Sequence, residues 1–443
     1  MKIRNFEGLA KSEPRRAALC IAEAGLEAID TERIVASAVH YARGTLTVRG
    51  KTFTIPPEGK LFVIGVGKCA REAGAALEKV LGKRLTGGIL LAPDTSKFPP
   101  KADPPQAGKV NSKKLKVYFG SHPYPTLANV SATKEILSFL SELKHEDTVL
   151  FAVSGGGSTL LGSPVRNNTI EDEANMLRHL TAAGANIYEV NTLRKHLSLA
   201  RGGWLAKAAY PAQAIALIFS DVPNAEASFV ASGPTVKDET TVAEAERVLK
   251  RYDIRAKCRL PHLALAETPK EEKYFERAHN VLVVSNKTAL EAMRAEAKRL
   301  GFAARVCTHS LQGEARVAGK KIAADIAREK PGTALFYGGE TTVTVTHPEG
   351  KGGRGLELAL AALSALGHRD LILTLASDGR DNTDFAGSIS DIMTKEHAAA
   401  KRLDAARFLA ENGSYDFFKT TGDYLLTGDT GSNVSDLIIA LKS

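Results

Sequence analysis

The sequence predicts an α/β protein of two domains, of which the N-terminal one is Rossmann-like with a mainly parallel sheet. Short apolar segments alternate with segments of helical period along most of the chain, which is typical of βαβ units. Glycine-rich turns follow several of the apolar segments, and open parallel sheets bind ligands at such turns. The length of 443 residues favours two domains over one or three.

The N-terminal half contains the elements of the first predicted sheet. Pro14, close after Ser12, is typical of a helix start, and apolar residues recur at helical spacing over residues 17–29 and 34–41. Further helices are expected to end at residue 81 and to cover residues 130–143 and 242–252, and strands are expected at residues 61–64, 88–92, 116–119, 148–153 and 214–219.

The C-terminal half repeats the alternation. Strands are expected at residues 281–284, 304–307, 334–337, 341–346 and 371–375, helices at 289–300, 314–328 and 356–366, and a last ordered segment around 424–427. Between them and the first half lies a polar stretch at residues 269–277. We therefore predict an N-terminal domain at 1–273 and a C-terminal α/β domain at 274–443.

Composition narrows the class of protein. The net charge of +9 suits an acidic ligand. The sequence has no dense lysine and arginine tract with interleaved aromatic residues, which argues against nucleic-acid binding. The four cysteines are scattered, which argues against a disulfide framework and a zinc knuckle. No signal-peptide core and no apolar run near 18 residues occurs. We expect a cytoplasmic protein with a small-molecule substrate and neither a membrane nor a nucleic-acid partner.

The turn from Ser154 to Ser158 is the most prominent candidate site. It contains Gly155, Gly156 and Gly157 and follows a strongly apolar predicted strand. Glycine lets the backbone bend sharply and approach a ligand, and successive N–H groups in such a turn can converge on an anion. The alternative is a tight strand-to-helix connection that binds nothing.

A second glycine-rich turn at residues 65–70 has two interpretations. Gly65, Gly67 and Ala70 fit the G-x-G-x-x-A form of the dinucleotide fingerprint, which would make the protein a nicotinamide-dependent hydroxyacid reductase. Lys68 offers the other interpretation, because a lysine in such a turn brings positive charge to a phosphate. A solvated lysine of a first helical turn remains a third possibility.

Polar residues also mark the middle of the chain. Arg194, Lys195 and His196 are adjacent, so on a helix they point in different directions and one or two can face a ligand. Asp221 follows a predicted strand and is placed either for a site or for capping a helix.

The second half carries a denser set of polar turns. Glu340 and Thr341 lie in a turn between two predicted strands. Arg354 lies in another glycine-rich turn, directly before a predicted helix. This turn resembles the one at Lys68, since each places a cation beside flexible backbone.

Three carboxylates lie within seven residues after the strand predicted at 371–375. They are Asp378, Asp381 and Asp384. Carboxylate oxygens together with phosphate oxygens are the ligands that Mg²⁺ prefers, whereas the spacing does not fit an EF-hand loop. A phosphate cradle, cations and a metal are the parts that phosphoryl transfer requires. Solvated turn aspartates are the alternative.

These segments together resemble the class II glycerate kinases, the family with a C-terminal MOFRL domain. The matching segments are GVGK (65–68), VSGGGS (153–158), LRKHLS (193–198), GG (202–203), SDV (220–222), ASGPT (231–235), GGETTVTV (338–345), GGR (352–354), ASDG (376–379) and TGDTGSNV (427–434). They extend over nearly the whole chain in the family's order.

The resemblance implies ATP-dependent phosphorylation of D-glycerate at its 2-hydroxyl with Mg²⁺, in a cleft between two α/β domains. It makes Lys68 and Arg354 the charge-stabilising residues. The full set of expected site residues comprises Lys68, Arg354 and Asp221 in catalysis, the turn 154–158 with Lys195, Glu340 and Thr341 at the nucleotide, and Asp378 and Asp384 at the metal. A homodimer is a further expectation.

The chain departs from the family pattern at three places. Gly355 and Leu356 replace Asn-Gln after the arginine, Asn382 replaces a glycine in the acidic turn, and Asn-Ala at 224–225 replaces Gly-Asp. These departures bear on which sugar acid is the substrate. Gly355 and Leu356 are also the best support for a binding protein that has lost turnover.

Overall fold

The computed structural model describes residues 1–94, 112–222 and 226–443, which form two compact units. The parallel-sheet unit comprises Thr31–Ser220 and 226–283, and the mixed-sheet unit comprises Met1–Asp30, Asp221 with Val222, and Val284–Ser443. The departure at 224–225 lies outside the described residues.

The elements of the described residues follow one another in the order that the sequence predicts for an α/β protein. The helices are α1 (Phe6–Leu9), α2 (Glu13–Ala28), α3 (Thr31–Ala38), α4 (Ala70–Leu81), α5 (Leu127–Ser141), α6 (Gly157–Leu160), α7 (Ile170–Ala182), α8 (Ile187–His196), α9 (Trp204–Ala209), α10 (Val242–Arg251), α11 (Ile254–Lys257), α12 (Asn286–Arg299), α13 (Ala315–Ala327), α14 (Arg354–Leu363), α15 (Ile392–Ala400), α16 (Ala405–Ala410) and α17 (Ser414–Thr421). The strands are β1 (Val39–Ala42), β2 (Thr45–Val48), β3 (Lys51–Thr54), β4 (Leu61–Val66), β5 (Leu85–Pro93), β6 (Leu115–Gly120), β7 (Thr148–Ser154), β8 (Gln213–Phe219), β9 (Ala278–Val284), β10 (Ala303–Leu311), β11 (Thr333–Gly339), β12 (Asp370–Ala376), β13 (Gly387–Ser390), β14 (Tyr424–Leu425) and β15 (Asp436–Lys442).

The parallel-sheet unit confirms the predicted Rossmann-like sheet. Its six strands lie in the order β6-β5-β4-β7-β8-β9, and the pairs β6-β5, β5-β4, β4-β7 and β7-β8 are parallel. Every residue of β7 is buried, as expected for a central strand covered on both faces. The carboxyl ends of the neighbouring strands β4 and β7 therefore lie side by side, each followed by a glycine-rich turn.

The mixed-sheet unit contains six strands in the order β10-β11-β15-β12-β13-β14. Only β10 and β11 pair in parallel among these described strands, because the C-terminal strand β15 enters between β11 and β12 antiparallel to both. Asp436, the first residue of β15, is consequently opposite Gly339 of β11 and Ala376 of β12. This register brings Asp436 to the edge where both strands end in predicted site turns.

The first 30 residues belong to the mixed-sheet unit, so the compact units do not coincide with the predicted ranges 1–273 and 274–443. Helix α2 packs on α12, where a side chain at Gly25 would overlap Met293. Strand β9 also differs from expectation, because it completes the first sheet rather than opening the second. The amphipathic pattern of a helix predicts that it packs, but not on which partner.

Two predicted elements are wrong in detail. Residues 341–346 do not form a strand, since only an isolated bridge joins Thr342 to Glu314 and the backbone N–H of Thr344 donates to the Glu314 carboxylate. The helix predicted at 34–41 ends at Ala38, and β1 begins at Val39 in a three-stranded antiparallel sheet. The β-branched and aromatic side chains of residues 39–41 favour a strand there.

Each unit has its own apolar core. In the mixed-sheet unit, α13 and α14 cover one face of the sheet through residues such as Ile322, Ile326 and Leu358. No helix in the described ranges is both long and apolar enough to cross a membrane.

Candidate active site

The turns after β4 and β7 are joined by hydrogen bonds. Lys68 N–H donates to Gly155 O over 2.9 Å, and Cys69 N–H donates to Ser154 Oγ over 3.1 Å. Ser154 is buried, and its hydroxyl in turn donates to Val66 O at 3.4 Å. The hydroxyl of Ser154, a residue of the predicted phosphate-binding turn, therefore connects the two turns, which makes their backbone geometry interdependent.

Glycine is required at two positions of this pair of turns. Gly67 has φ +119°, and a Cβ there would clash with Ser154 Oγ. Gly156 has φ +81°, and a Cβ there would lie 3.3 Å from Lys68 Cγ and 3.4 Å from the His122 ring. The half-buried Lys68 side chain thus lies against the second turn, where the sequence placed the anion site.

The two turns differ in their available donors. The N–H groups of Gly67, Lys68 and Cys69 donate to Leu91 O, Gly155 O and Ser154 Oγ respectively. By contrast, the N–H groups of Gly156 and Gly157 reach no acceptor within the described ranges. The dinucleotide interpretation requires free donors in the first turn, whereas the N–H groups that reach no described acceptor lie in the second.

The basic residues of α8 have separate environments. Lys195 is buried and forms an ion pair with Asp238 at 2.9 Å, and the hydroxyls of Thr240 and Thr268 also donate to this carboxylate. Burial alone would raise the pKa of Asp238, but the charge of Lys195 and the hydrogen bonds from Lys195 and Thr240 hold it below its ordinary value. The predicted contact of Lys195 with the nucleotide stays a prediction. Arg194, the preceding residue, donates instead to Thr159 Oγ1 at 3.3 Å, in the helix that follows the turn.

In the mixed-sheet unit, Arg354 is surrounded by acids. Its guanidinium donates to both oxygens of Glu340, at 3.0 and 2.8 Å, and its Nε donates to Asp436 Oδ2 at 2.7 Å. The side chain of Arg354 is 35% exposed, whereas that of Asp436 is 8% exposed. Thr341, beside Glu340, is buried.

This cluster contains more carboxylates than cations. Burial raises the pKa of Asp436 to about 7, and the charges of Glu340 and Asp381 act in the same direction against the opposing charge of Arg354. Since the two carboxylates raise the pKa of Arg354, its guanidinium stays charged. The pKa of Asp436 therefore depends on the neighbouring charges, and an approaching cation or anion would shift it.

The three aspartates of the acidic turn have different hydrogen-bond partners. Both oxygens of buried Asp381 accept the N–H groups that begin α14, from Gly355 at 3.1 Å and Leu356 at 2.6 Å. Asp378 is half-buried and accepts from Arg380 N–H at 3.0 Å. Asp384 is exposed and bonds the hydroxyl of Tyr415, whose pKa is raised to about 12 by burial first and then by this contact.

Asp221, which follows β8, is held by Asn433. The side-chain amide of Asn433 donates to Asp221 Oδ2 at 2.8 Å. Asn433 is buried and lies in the glycine-rich segment before β15. Two of the sequence motifs, 220–222 and 427–434, are thereby in contact.

Comparison with known proteins identifies the family of the chain. Residues 17–267 match the model of DUF4147, a domain of unknown function, and residues 333–436 match the MOFRL family. A glycerate 2-kinase of Pyrococcus horikoshii is 38% identical over 94% of both chains, and the D-glycerate 2-kinase of Thermotoga maritima is 36% identical over 86% of this chain and 90% of its own. The chain belongs to the class II glycerate kinase family.

Solved structures agree with the family assignment. A glycerate kinase structure from Thermotoga maritima superposes with a TM-score of 0.78 at 32% identity, and it covers 97% of this chain and 99% of its own. A protein from Pyrococcus horikoshii superposes with a TM-score of 0.75 at 35% identity over 98% of this chain and 99% of its own.

The departures at residues 355, 356 and 382 lie in the described part of the chain, where their surroundings are known. Leu356 is fully buried in an apolar cluster with Phe385 and Phe417, so it packs in the core. Asn382 has φ +55°, and asparagine tolerates this left-handed conformation better than most residues other than glycine. A Cβ at Gly355 would lie 3.2 Å from Asp381 Oδ2, so a larger side chain in this chain would need a small adjustment of that carboxylate.

Sequence reasoning missed Asp436, Asn191 and Ser232. Ser232 Oγ is 2.8 Å from Ser158 Oγ and donates to Asn191 Oδ1 at 2.6 Å. Ala231 and Ser232 both have positive φ, of 53° and 58°. Two such non-glycine residues in succession mark a strained turn, a feature that sequence motifs do not reveal.

Proposed function

We propose that the chain transfers the γ-phosphoryl group of ATP to the 2-hydroxyl of D-glycerate, with Mg²⁺, to give 2-phosphoglycerate and ADP. The glycerate oxygen forms the new bond to phosphorus, the bond between phosphorus and the bridging oxygen of ADP breaks, and the hydroxyl proton is released. The observation that carries the proposal is the match, over 94% of both chains, to a protein named glycerate 2-kinase.

The residues of the parallel-sheet unit suit the phosphate end of the reaction. Lys68 brings a positive charge to the turn in which Gly156 and Gly157 have N–H groups to donate. A cation beside converging backbone donors stabilises charge on phosphate oxygens. We assign Lys68 to the transferring phosphoryl group and Gly155, Gly156 and Gly157 to the nucleotide phosphates.

The residues of the mixed-sheet unit suit charge stabilisation and orientation. Arg354 is the second cation that we assign to the phosphoryl group, and Glu340 and Asp436 fix its guanidinium through three hydrogen bonds of 3.0 Å or less. Asp221, oriented by Asn433, is assigned to the glycerate hydroxyl. Each of these roles is a proposal for mutagenesis.

The described acids can supply one or two ligands to a Mg²⁺ ion that is bound mainly through phosphate oxygens. No three His, Cys, Asp or Glu side chains within residues 1–94, 112–222 and 226–443 form a metal cluster. Mg²⁺ commonly binds through one or two carboxylates together with substrate phosphates and water. Asp378 and the exposed Asp384 are the proposed ligands, whereas Asp381 is committed to the start of α14. When bound, the ion neutralises phosphate charge.

The reductase alternative lacks its essential donors. A dinucleotide fingerprint binds pyrophosphate through backbone N–H groups of its turn. Here the N–H groups of Gly67, Lys68 and Cys69 are already donated within the protein. We therefore do not propose nicotinamide chemistry.

The reaction is tested by its product. D-glycerate with ATP and Mg²⁺ should form a product that enolase alone converts to phosphoenolpyruvate, followed by ultraviolet absorbance, and EDTA should abolish the signal until Mg²⁺ is restored. Lys68→Met should lower kcat roughly 10²–10³-fold, while Lys79→Met, at an exposed side chain of α4, should match the wild type. A product that requires phosphoglycerate mutase would contradict transfer to the 2-hydroxyl. Oxidation of NAD(P)H by hydroxypyruvate without ATP consumption would support the reductase.

A cytoplasmic location and a homodimer stay predictions from the sequence. Size-exclusion chromatography with light scattering measures the mass in solution and tests the dimer directly.

A further inference from the structure

A buried charge cluster in the parallel-sheet unit contains one more cation than carboxylate. Arg194 on α8 and fully buried Arg201 lie near Glu173 of α7, and Arg201 forms the ion pair with Glu173, at 2.8 Å. Arg201 also donates to Arg194 O at 3.3 Å. Within the described ranges, Arg194 forms no ion pair with any carboxylate. The cluster keeps one uncompensated positive charge.

The surroundings of Arg194 disfavour its charged form. Burial, followed by the charge of Arg201, lowers the pKa of Arg194 to about 10, and Glu173 opposes the shift only in part. The guanidinium remains protonated at neutral pH. Its one described side-chain hydrogen bond goes to a neutral hydroxyl, Thr159 Oγ1, and its Nε is buried with no acceptor in the described part of the chain.

Asn191 provides a second unsatisfied donor on the same helix face. It precedes Arg194 by three residues on α8, so the two side chains are neighbours. Asn191 is 3% exposed, and its Nδ2 also finds no acceptor among the described atoms. Its Oδ1 accepts from Ser232, which contacts Ser158. The two donors thus flank the polar turn that begins α6.

We propose that Arg194 and Asn191 bind the carboxylate of the hydroxy-acid substrate, an inference that rests on the proposed kinase function. A carboxylate supplies the missing negative charge, and its planar oxygens match the fork of a guanidinium. The proposed function already assigns the phosphates to Lys68, which lies against Gly156, and to the turn Gly155–Gly157, so the carboxylate is the substrate group that still lacks a partner. A charged anchor beside the turn fixes the acid end of the substrate and leaves its hydroxyl free to react.

Kinetics with matched substrates test the assignment. Arg194→Met should raise KM for D-glycerate about 10- to 100-fold, as expected for a lost hydrogen bond to a charged group, with KM for ATP changed less than about 3-fold. The preference for D-glycerate over D-glyceramide, which lacks the carboxylate charge, should shrink by a similar factor. Arg247→Met, on an exposed pair of α10, should leave all constants unchanged.

Stability separates a binding role from a structural one. Arg194→Met removes repulsion from Arg201 and leaves no acid unpaired, so its Tm should equal or exceed that of the wild type. Arg201→Met leaves Glu173 buried without its cation and should lower Tm by roughly 5 °C or more. A fall in Tm for Arg194→Met as large as that for Arg201→Met would make Arg194 structural and overturn the proposal.

Binding without turnover distinguishes this proposal from the proposed function. D-glycerate alone should raise the Tm of the wild type but not of Arg194→Met, whereas Mg-ATP should raise both. A wild type that binds glycerate through Arg194 without phosphorylating it would remove the kinase function and keep the carboxylate site. An active wild type together with an Arg194→Met variant of unchanged kinetics would keep the kinase function and remove the carboxylate site. A rise in KM for ATP instead of glycerate would assign Arg194 to nucleotide phosphate and overturn the carboxylate assignment.

Discussion

Arg15 and Arg354 both lie between two carboxylates of the mixed-sheet unit, yet their surroundings differ. Arg15 on α2 is 1% exposed and pairs with Asp391 at 2.6 Å and Asp423 at 2.8 Å. Arg354 pairs with Glu340 and Asp436 at similar distances, but its side chain is 35% exposed. The number of ion pairs is thus equal, and accessibility separates the two sites.

The second difference lies in what else contacts the acids. Thr394 donates both N–H and hydroxyl to Asp391, and Arg15 and these donors lower the pKa of Asp391 against the effect of burial. Around Arg354, the additional groups are carboxylates, and the pKa of Asp436 rises to about 7. The Arg15 network gives Asp391 further hydrogen-bond donors and joins α2 to its unit, whereas in the Arg354 cluster a third carboxylate, Asp381, acts on Asp436 and raises its pKa.

Removing Arg15 should have the largest effect on stability. Arg15→Met leaves Asp391 and Asp423 buried without their cation, and such a loss costs about 3–5 kcal/mol. Urea denaturation should show this decrease in the free energy of unfolding, with kcat at low urea within about 2-fold of the wild type. Arg16→Met, on the same helix but in an exposed pair, is the control. Equal stability of both variants would contradict the structural role of Arg15.

Removing Arg354 should lower activity and leave stability nearly unchanged, which is the opposite of the result expected for Arg15. Loss of one preorganised donor to the transferring phosphoryl group lowers kcat about 10²–10³-fold. We expect Arg354→Met to show this decrease in the enolase-coupled assay with a Tm close to that of the wild type, because Glu340 is 41% exposed and can be hydrated, and the raised pKa of Asp436 lets that acid take up a proton. Arg299→Met, in an exposed pair on α12, should have neither effect. A variant with normal kcat would exclude Arg354 from catalysis.

The smallest expected effect is in the pH dependence of stability. A folded-state pKa of about 7 for Asp436 against an ordinary value of 3.8 means that the folded protein binds this proton more tightly. Its contribution to stability is therefore largest below pH 3.8 and is lost as the pH rises towards 7. Asp436→Asn mimics the protonated acid, so its Tm relative to the wild type should be higher at pH 8 than at pH 5.

The contribution of Asp391 to stability should depend on pH in the opposite direction. Its pKa lies below 3.8, so its contribution is present above that value and is lost as the pH falls further. The Tm deficit of Asp391→Asn should be constant from pH 5 to 8 and shrink under more acidic conditions. The same pH dependence in both variants would contradict the distinction between the two clusters.

The parallel sheet and its turns were predictable because their signals are local. The apolar run of β7 and the glycines after it occur within a few residues of one another, and so do the pattern and turn of β4. The strand order and direction of the mixed sheet were not predictable, because the direction in which two strands pair depends on the path of the chain between them. Strand β15 needs no crossover helix to lie antiparallel between β11 and β12.

The sequence by itself determined the α/β class, the glycine-rich turns and the family, since residue type and short spacing carry that information. Tertiary structure alone decided which charges are paired. Lys195 and Arg194 are adjacent and basic, yet one faces Asp238 and the other faces Thr159. Asp436 reaches Arg354 across 82 residues because the register of β15 places it there. Electrostatic environment depends on groups that meet only after folding, so no local pattern encodes it.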